Sequence, residues 1–377
     1  MLTDLPHVIV TGGCGFIGSH LTRRLLDQGF SVTVVDDNRT GNVFYNHNSV
    51  EYHKCDVVNF NPHVNSIEPP VAIFHLANSP RVRRALEYPT ETIVNNISST
   101  CAVADWARIF NCKLFFSTSS STQYVESQGN PYTFSKVVCE STLDMYRRLY
   151  SLDYVLMFYY NVYGPGEADY GEYSTVVRKF KMDYLQGKPL TIYGTGKKER
   201  DFTHVDDIVQ GLILAGDNIR NDEFQLGTGK DYSVLEIAAA FDHYFEFIPA
   251  RRGDRPKGLA DISTSKDVLG YKPTYNIIDY INSFVKAKIT NVSVDTWDEA
   301  FETDWKRSND YSTPTCAIFL VTKGSASVHV DKEQYEMTTG RLYSVNEWCT
   351  HKLVNKSSSP LTMLLAQFKW DKEVHGK

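Results

Sequence analysis

The sequence predicts a doubly wound α/β sheet, a smaller α/β region built over its crevice, and an all-β unit at the C-terminal end. Three observations predict it. Residues 8–41 run as a strand, a glycine turn, a helix and a second strand ending in acid; apolar runs alternate with helical stretches to about residue 165; and after about Ile289 short strands and turns take over.

The first element is Val8-Ile-Val-Thr11, followed by Gly12, Gly13, Gly15 and Gly18. Glycines at this spacing let backbone approach a pyrophosphate where a side chain would collide. The helix opened by Phe16-Ile17-Gly18 points its N-terminal amides and positive dipole end at such a group. Asp36 closes the second strand eighteen residues after Gly18. A carboxylate there takes both hydroxyls of an adenosine ribose and repels a 2′-phosphate, which predicts NAD rather than NADP. A glycine triplet alone also suits a simple tight turn; the flanking β-branched strands and the spaced acid are what make it a dinucleotide site.

Ser31–Val35, Val71–Leu76, Lys113–Ser117 and Tyr154–Tyr159 are apolar runs suited to strands buried on both faces, with helical stretches such as Thr22–Gln28 and Ile97–Phe110 between them. This is a Rossmann-type arrangement over residues 1–166. From Glu167 to about Lys288 the elements are shorter and separated by Gly and Pro, as in a substrate region interleaved with the first domain. An amphipathic segment, Thr296–Trp305, opens the third unit, residues 295–377. Turns are expected at Lys323-Gly324, Asp331-Lys332, Thr339-Gly340 and Ser357–Pro360.

The composition suits an enzyme with more than one domain: 377 residues, 42% hydrophobic, net charge −6. No basic run or basic amphipathic helix points to nucleic acid or an anionic membrane, and no apolar run reaches the length of a membrane span. With no charged-then-apolar leader, the expected location is cytoplasmic. Seven cysteines without a Cys-x-x-Cys suit reduced thiols better than a disulfide framework or a zinc site.

The candidate chemistry sits at Tyr132-Thr-Phe-Ser-Lys136. At i and i+4 on one helix face the ammonium lies near the phenol and lowers its pKa, so that the tyrosine can move a proton at a sugar hydroxyl. With 23 tyrosines in the chain this spacing also arises by chance, and its position is what distinguishes it. Directly upstream, Ser117-Thr118-Ser119-Ser120-Ser121-Thr122 places a row of hydroxyls at the C-terminal edge of the sheet. Such a row also suits a turn with local hydroxyl–backbone bonds.

These residues resemble the extended short-chain dehydrogenase/reductase family, specifically its NAD-dependent nucleotide-sugar epimerases and dehydratases. The resemblance covers residues 6–286. Its matches include Phe74-His-Leu-Ala77, Asn95-Asn96, Asn161-Val-Tyr-Gly-Pro165, Tyr193-Gly-Thr-Gly, Arg200-Asp-Phe-Thr-His-Val-Asp-Asp207 and Arg251-Arg-Gly-Asp254. It implies that NAD is held by Gly12, Gly15, Phe16, Ile17, Gly18, Asp36, Asn38, Asp56, Val57, Leu76, Ala77, Asn96, Ser117, Tyr132, Lys136 and Tyr159. It implies a substrate site of Asn161, Val176, Tyr193, Arg200, Arg251 and Asp254. The two arginines suit a diphosphate and the tyrosine a nucleobase.

Family members that eliminate water resemble Thr-Asp-Glu at the catalytic hydroxyl, and decarboxylating relatives look like Thr-Ser-Glu. This chain has Ser119-Ser120-Ser121 and no carboxylate until Glu126. The resemblance therefore implies epimerisation at C4 through a 4-keto intermediate, with Tyr132 as proton carrier, Lys136 beside it and Ser119 on the oxygen. Thr118 or Ser120 remain alternatives for that hydroxyl. Tyr132 follows Ser119 by only thirteen positions, a shorter connection than relatives usually have. The stretch Asn161–Tyr193 looks most like 4-epimerases of UDP-hexoses. The expected partners are that nucleotide sugar and a second copy of the chain. The alternatives are a dehydratase or oxidoreductase whose keto product the C-terminal unit processes, and a non-catalytic nucleotide-sugar-binding protein.

The third unit resembles the cupin barrels. Gly340-x5-Asn346-x-Trp348-x2-His351-x3-Asn355 keeps the spacing of their second motif, while the paired histidines and glutamate of the first are missing. One matching imidazole, His351, cannot hold a divalent ion firmly, so no metal is expected; His329 lies on a neighbouring hairpin strand with its facing open.

Overall fold

The computed structural model describes residues 5–369 except 42, 46, 66, 125–128, 169–170, 172, 217–221, 251–257, 286–287, 298–300, 306–314, 324, 331–332, 340–341, 346–350 and 356–360; beyond 285 the description is largely of backbone. The chain divides into two compact units, Met1–Ile277 and Ile278–Lys377.

The first unit is built on β1 (His7–Thr11), α1 (Phe16–Asp27), β2 (Ser31–Asp36), β3 (Val50–Lys54), β4 (Ala72–His75), α2 (Val82–Glu87), α3 (Pro89–Phe110), β5 (Lys113–Ser119), α4 (Ser121–Tyr124), α5 (Pro131–Tyr150) and β6 (Tyr154–Tyr159). It continues through α6 (Val176–Leu185), β7 (Leu190–Tyr193), β8 (Glu199–Asp201), α7 (Val205–Leu214), β9 (Asp222–Leu226), β10 (Asp231–Ser233), α8 (Val234–Ala240), β11 (Phe245–Ile248) and α9 (Ser263–Leu269). Seven strands form one parallel sheet in the order β3-β2-β1-β4-β5-β6-β9. All five residues of β1 are buried, as expected of a central strand covered on both faces. The order reverses between β1 and β4, and the crevice at that switch point is where ligands of such sheets bind.

The helices that flank the crevice have local reasons to start where they do. α1 has Gly15 as N-cap with no side-chain cap, so its first amides stay free. α5 is capped by Asn130, whose Oδ1 accepts from Thr133 N at 2.9 Å, with Pro131 in the first turn, and this fixes Tyr132 at the helix mouth. β9 returns the later part of the chain to the large sheet beside β6. Two small sheets, β11-β7 and β10-β8, stand apart from it.

The second unit opens with α10 (Ile277–Val285). It then holds β12 (Lys288–Trp297), β13 (Phe301–Trp305), β14 (Thr315–Lys323), β15 (Ser325–Val330), β16 (Glu333–Thr338), β17 (Leu342–Val345), β18 (His351–Asn355) and β19 (Leu361–Lys369). They form two antiparallel four-stranded sheets, β12-β19-β14-β17 and β13-β18-β15-β16. The segment Thr296–Trp305 is divided between the end of β12 and the whole of β13. Of the expected turns, Asp331-Lys332 and Ser357–Pro360 lie outside the described residues, as do Gly324 and Gly340, while Lys323 ends β14 and Thr339 follows β16. His329 pairs with Lys352 and Val330 with His351, so positions 329 and 351 lie on opposite faces of their sheet. The side chains of both histidines lie outside what is described. Among the described residues no helix is long and apolar enough to cross a membrane.

Candidate active site

A cavity of about 720 Å³ opens at the C-terminal edge of the parallel sheet and joins the glycine turn to the α5 tyrosine. Its glycines are required by contact. Gly12 has φ +74, and a Cβ there would lie 2.8 Å from Ala77 N; a Cβ on Gly18 would meet the Gly12 carbonyl at 2.0 Å. Asp36 ends β2 buried, its Oδ2 accepting from Cys14 N at 2.9 Å and its Oδ1 from Asn38 N at 2.8 Å. Burial pushes its pKa up against these backbone bonds.

The residues present fit NAD. The turn offers free helix amides and close backbone approach, Asp36 stands at the ribose end, and the buried hydroxyl of Tyr159 in the cavity wall has no partner among the described residues. Phe16, Ile17, Gly15, Asp56, Val57, Leu76, Ala77 and Ser117 line the same cavity.

Asn38 and Asn96 do not line it. Asn38 contributes its backbone N–H to Asp36. Asn96 is fully buried behind the wall, its Oδ1 accepting from Ser79 N at 2.7 Å and its Nδ2 donating to Ser135 Oγ at 2.9 Å. Asn95, one helical step away, faces the cavity in its place. Arg39 also stands there, paired with Asp37 at 2.8 Å and Glu91 at 3.4 Å.

At the other end, β5 delivers the hydroxyl row and α5 delivers Tyr132 and Lys136. Lys136 is buried, and its Nζ donates to the Ser117 carbonyl at 2.8 Å. Burial pulls its pKa down from 10.5 to about 8. Behind it His75 is held neutral, its pKa pushed down to about 3 by burial and then by the Lys136 charge, with Nδ1 2.7 Å from Thr11 Oγ1. The row is sorted by its bonds. Ser117 Oγ donates to the His75 carbonyl at 2.9 Å, Thr118 donates to Glu140, and Ser119 Oγ lies 2.9 Å from Ser121 Oγ on the cavity wall.

Asn161 and Arg200 reach the cavity from beyond β6, held by Asp201 O at 2.8 Å and Glu199 O at 2.7 Å. Val176, at the start of α6, and Tyr193, at the end of β7, are not among its lining residues. Arg251 and Asp254 lie outside the described residues. Three residues that sequence reasoning passed over stand in or behind the wall. Arg81 and Glu167 line the cavity; Glu140, one turn after Lys136, is half-buried and not among its lining residues. The spacing Tyr132-Lys136-Glu140 carried a signal for Glu140; nothing local marked the other two.

The comparisons agree with this geometry. Residues 8–232 match the NAD dependent epimerase/dehydratase family, and residues 301–366 match the cupin domain. The UDP-glucose 4-epimerase of Mycolicibacterium smegmatis is 32% identical over 304 residues, covering 74% of this chain and 97% of that protein. UDP-glucuronic acid decarboxylase 4 of Arabidopsis thaliana is 30% identical over 295 residues, covering 71% of this chain and 65% of that one. The UDP-glucose 4-epimerase of Thermotoga maritima, solved with UDP-glucose, superposes with a TM-score of 0.69 at 28% identity, covering 74% of this chain and 97% of that one. With its glycine turn, Asp36 and the Tyr132–Lys136 pair on one cavity, this chain belongs to the NAD dependent epimerase/dehydratase family and carries a C-terminal cupin domain.

Proposed function

We propose that this protein inverts the C4 hydroxyl of a nucleotide sugar, with UDP as the carrier. One observation supports it above the others. Ser119, Tyr132 and Lys136 share a cavity whose described carboxylates are engaged elsewhere: Glu167 accepts from Gly164 N at 2.9 Å and from the Thr175 hydroxyl, Asp36 from two amides, Asp37 pairs with Arg39 and Asp56 accepts from Val58 N. Elimination of water would need a further free acid and base beside the sugar; epimerisation needs only the one proton carrier at C4.

Tyr132 takes the C4 hydroxyl proton and later returns it. The buried ammonium of Lys136 favours the phenolate by charge. Ser119 holds the sugar oxygen by a hydrogen bond through both half-reactions. Bound NAD supplies the acceptor and donor for the C4 hydride. Arg200 and Asn161 support the diphosphate, with Val176, Tyr193, Arg251 and Asp254 assigned to the substrate by family resemblance. The exposed apolar side chains of α3 and α5, Ile109, Met145, Leu149 and Tyr150, support a homodimer through these helices.

The test is incubation of the full chain with UDP-, dTDP-, GDP- and CDP-sugars, with products resolved by NMR. A C4 epimer with the carbon skeleton and water content unchanged supports the proposal. Loss of water or CO₂, or stoichiometric NADH release, would overturn it.

A further inference from the structure

Arg81 is a cation in the cavity wall that no carboxylate among the described residues contacts directly. It follows Pro80 and precedes α2, at φ +87, a backbone conformation that residues with a Cβ rarely adopt and that is held where function requires it. Its guanidinium makes one hydrogen bond among the described residues, Nη2 to the Tyr173 carbonyl at 2.8 Å, and Nε is buried with no partner.

Neighbouring arginines are treated differently. Arg39 is paired with Asp37 and Glu91, and Arg84 with Glu91 at 2.8 Å. Arg81 has no carboxylate within ion-pair distance among the described residues. Its electrostatic neighbours are Glu167 and Tyr132. Glu167 acts on it only from beyond ion-pair distance, its Oε1 bound to Gly164 N and its Oε2 to the Thr175 hydroxyl, so no described carboxylate oxygen takes the guanidinium donors directly. A guanidinium stays charged even when buried, and on a residue that lines the cavity an unpartnered Nε is a standing demand for an acceptor, best met by an anion.

Proximity to Tyr132 says which part of the substrate would meet it. The phenol serves the oxygen on C4, whose ring neighbours are C3 and C5. C3 carries a neutral hydroxyl, and C5 carries C6, the one nearby position that becomes anionic when oxidised. Resting on the epimerase proposal above, we propose that Arg81 binds the C6 carboxylate of a nucleoside-diphosphate hexuronic acid, so that the sugar epimerised is a uronate. Planar guanidinium and carboxylate match in two parallel hydrogen bonds, which a hydroxymethyl group cannot return.

The experiment compares UDP-glucuronate, UDP-glucose and UDP, in calorimetry and in initial rates, on the full chain and on Arg81→Gln and Arg81→Lys. The wild type should favour UDP-glucuronate in kcat/KM by about 30-fold or more, and Arg81→Gln should lose that preference mainly through KM, since an unpaired buried charge costs this much. Arg81→Lys should recover part of it. UDP, which has no sugar, should bind both variants within about threefold of wild type, which also reports that they are folded.

Equal use of the hexose and the uronate by the wild type overturns the proposal without any variant. Loss of UDP binding equal to loss of UDP-glucuronate binding also overturns it, because Arg81 would then belong to the diphosphate. Arg81-dependent binding of UDP-glucuronate without C4 inversion leaves the carboxylate site standing and overturns only the epimerase proposal.

Discussion

Thr118 gives its hydroxyl to Glu140, one turn of α5 beyond Lys136, while the next residue of β5, Ser119, has its hydroxyl on the cavity wall beside Ser121. Two adjacent hydroxyls that the sequence leaves equivalent thereby acquire different duties. Ser119→Ala should lower kcat by about 10- to 1000-fold with little change in KM, the loss of a hydrogen bond tightened in the transition state. Thr118→Val should act on stability, by about 1 kcal/mol, because it takes one donor from the half-buried Glu140 carboxyl. Initial rates and urea unfolding of the two variants separate the roles, and the reverse pattern would move the catalytic hydroxyl to Thr118.

Tyr132→Phe removes one oxygen from the first turn of α5, where the helix is already fixed by Asn130 and Pro131. Turnover should fall by about two decades or more, as expected of a proton carrier, while the fold and NAD binding hold. Circular dichroism and calorimetry with NAD check the second half. Activity within about tenfold of wild type would remove Tyr132 from the proton path.

The large sheet was legible because strands buried on both faces become uninterrupted apolar runs, as in β1 and β6. Tyr132 and Lys136 were legible because helical spacing alone puts them on one face. Residues whose place depends on phase were not. Asn95 and Asn96 differ by one step of α3, about 100°, and only packing decides that Asn95 faces the cavity. Arg81 and Glu167 come from connections after β4 and β6 and meet only in the folded crevice, without any spacing rule between them. The C-terminal strands were legible as a series of short runs; the facing of position 329 required the cross-strand register.

Asp36 joins the glycine turn to the segment after β2 through Cys14 N and Asn38 N. Asp36→Asn keeps an acceptor and removes the charge, so the preference for NAD over NADP should shrink about tenfold or more as repulsion of a 2′-phosphate is lost. Asp36→Ala should also lower stability by about 1–3 kcal/mol, because it strands the buried Cys14 amide. Calorimetry with both cofactors and thermal unfolding check the pair. NADP binding to wild type as tight as NAD binding would contradict the role of Asp36.

Lys136 sets catalytic use against stability. Its ammonium is buried over the Phe116 ring at 4.9 Å, with one hydrogen bond to Ser117 O, and its pKa is down from 10.5 to about 8. Below about pH 8 both folded and unfolded chains hold the proton, and the full cost of burying the charge, about 3 kcal/mol, falls on the fold. Between about pH 8 and 10.5 the unfolded chain keeps a proton that the folded chain has released, so this contribution to stability rises with pH and levels off above that window. Lys136→Met removes the charge and also the bond to Ser117 O, worth about 1–2 kcal/mol. The NAD-free variant should therefore be more stable than wild type by about 1 kcal/mol at pH 7, and the gain should vanish or reverse by about pH 10. Turnover should fall by at least about 100-fold, since the phenolate of Tyr132 loses its neighbouring cation. Urea unfolding at the two pH values, with rates measured in parallel, tests both halves. A methionine variant less stable than wild type by more than about 1 kcal/mol at pH 7 would show that the ammonium stabilises the fold instead of burdening it.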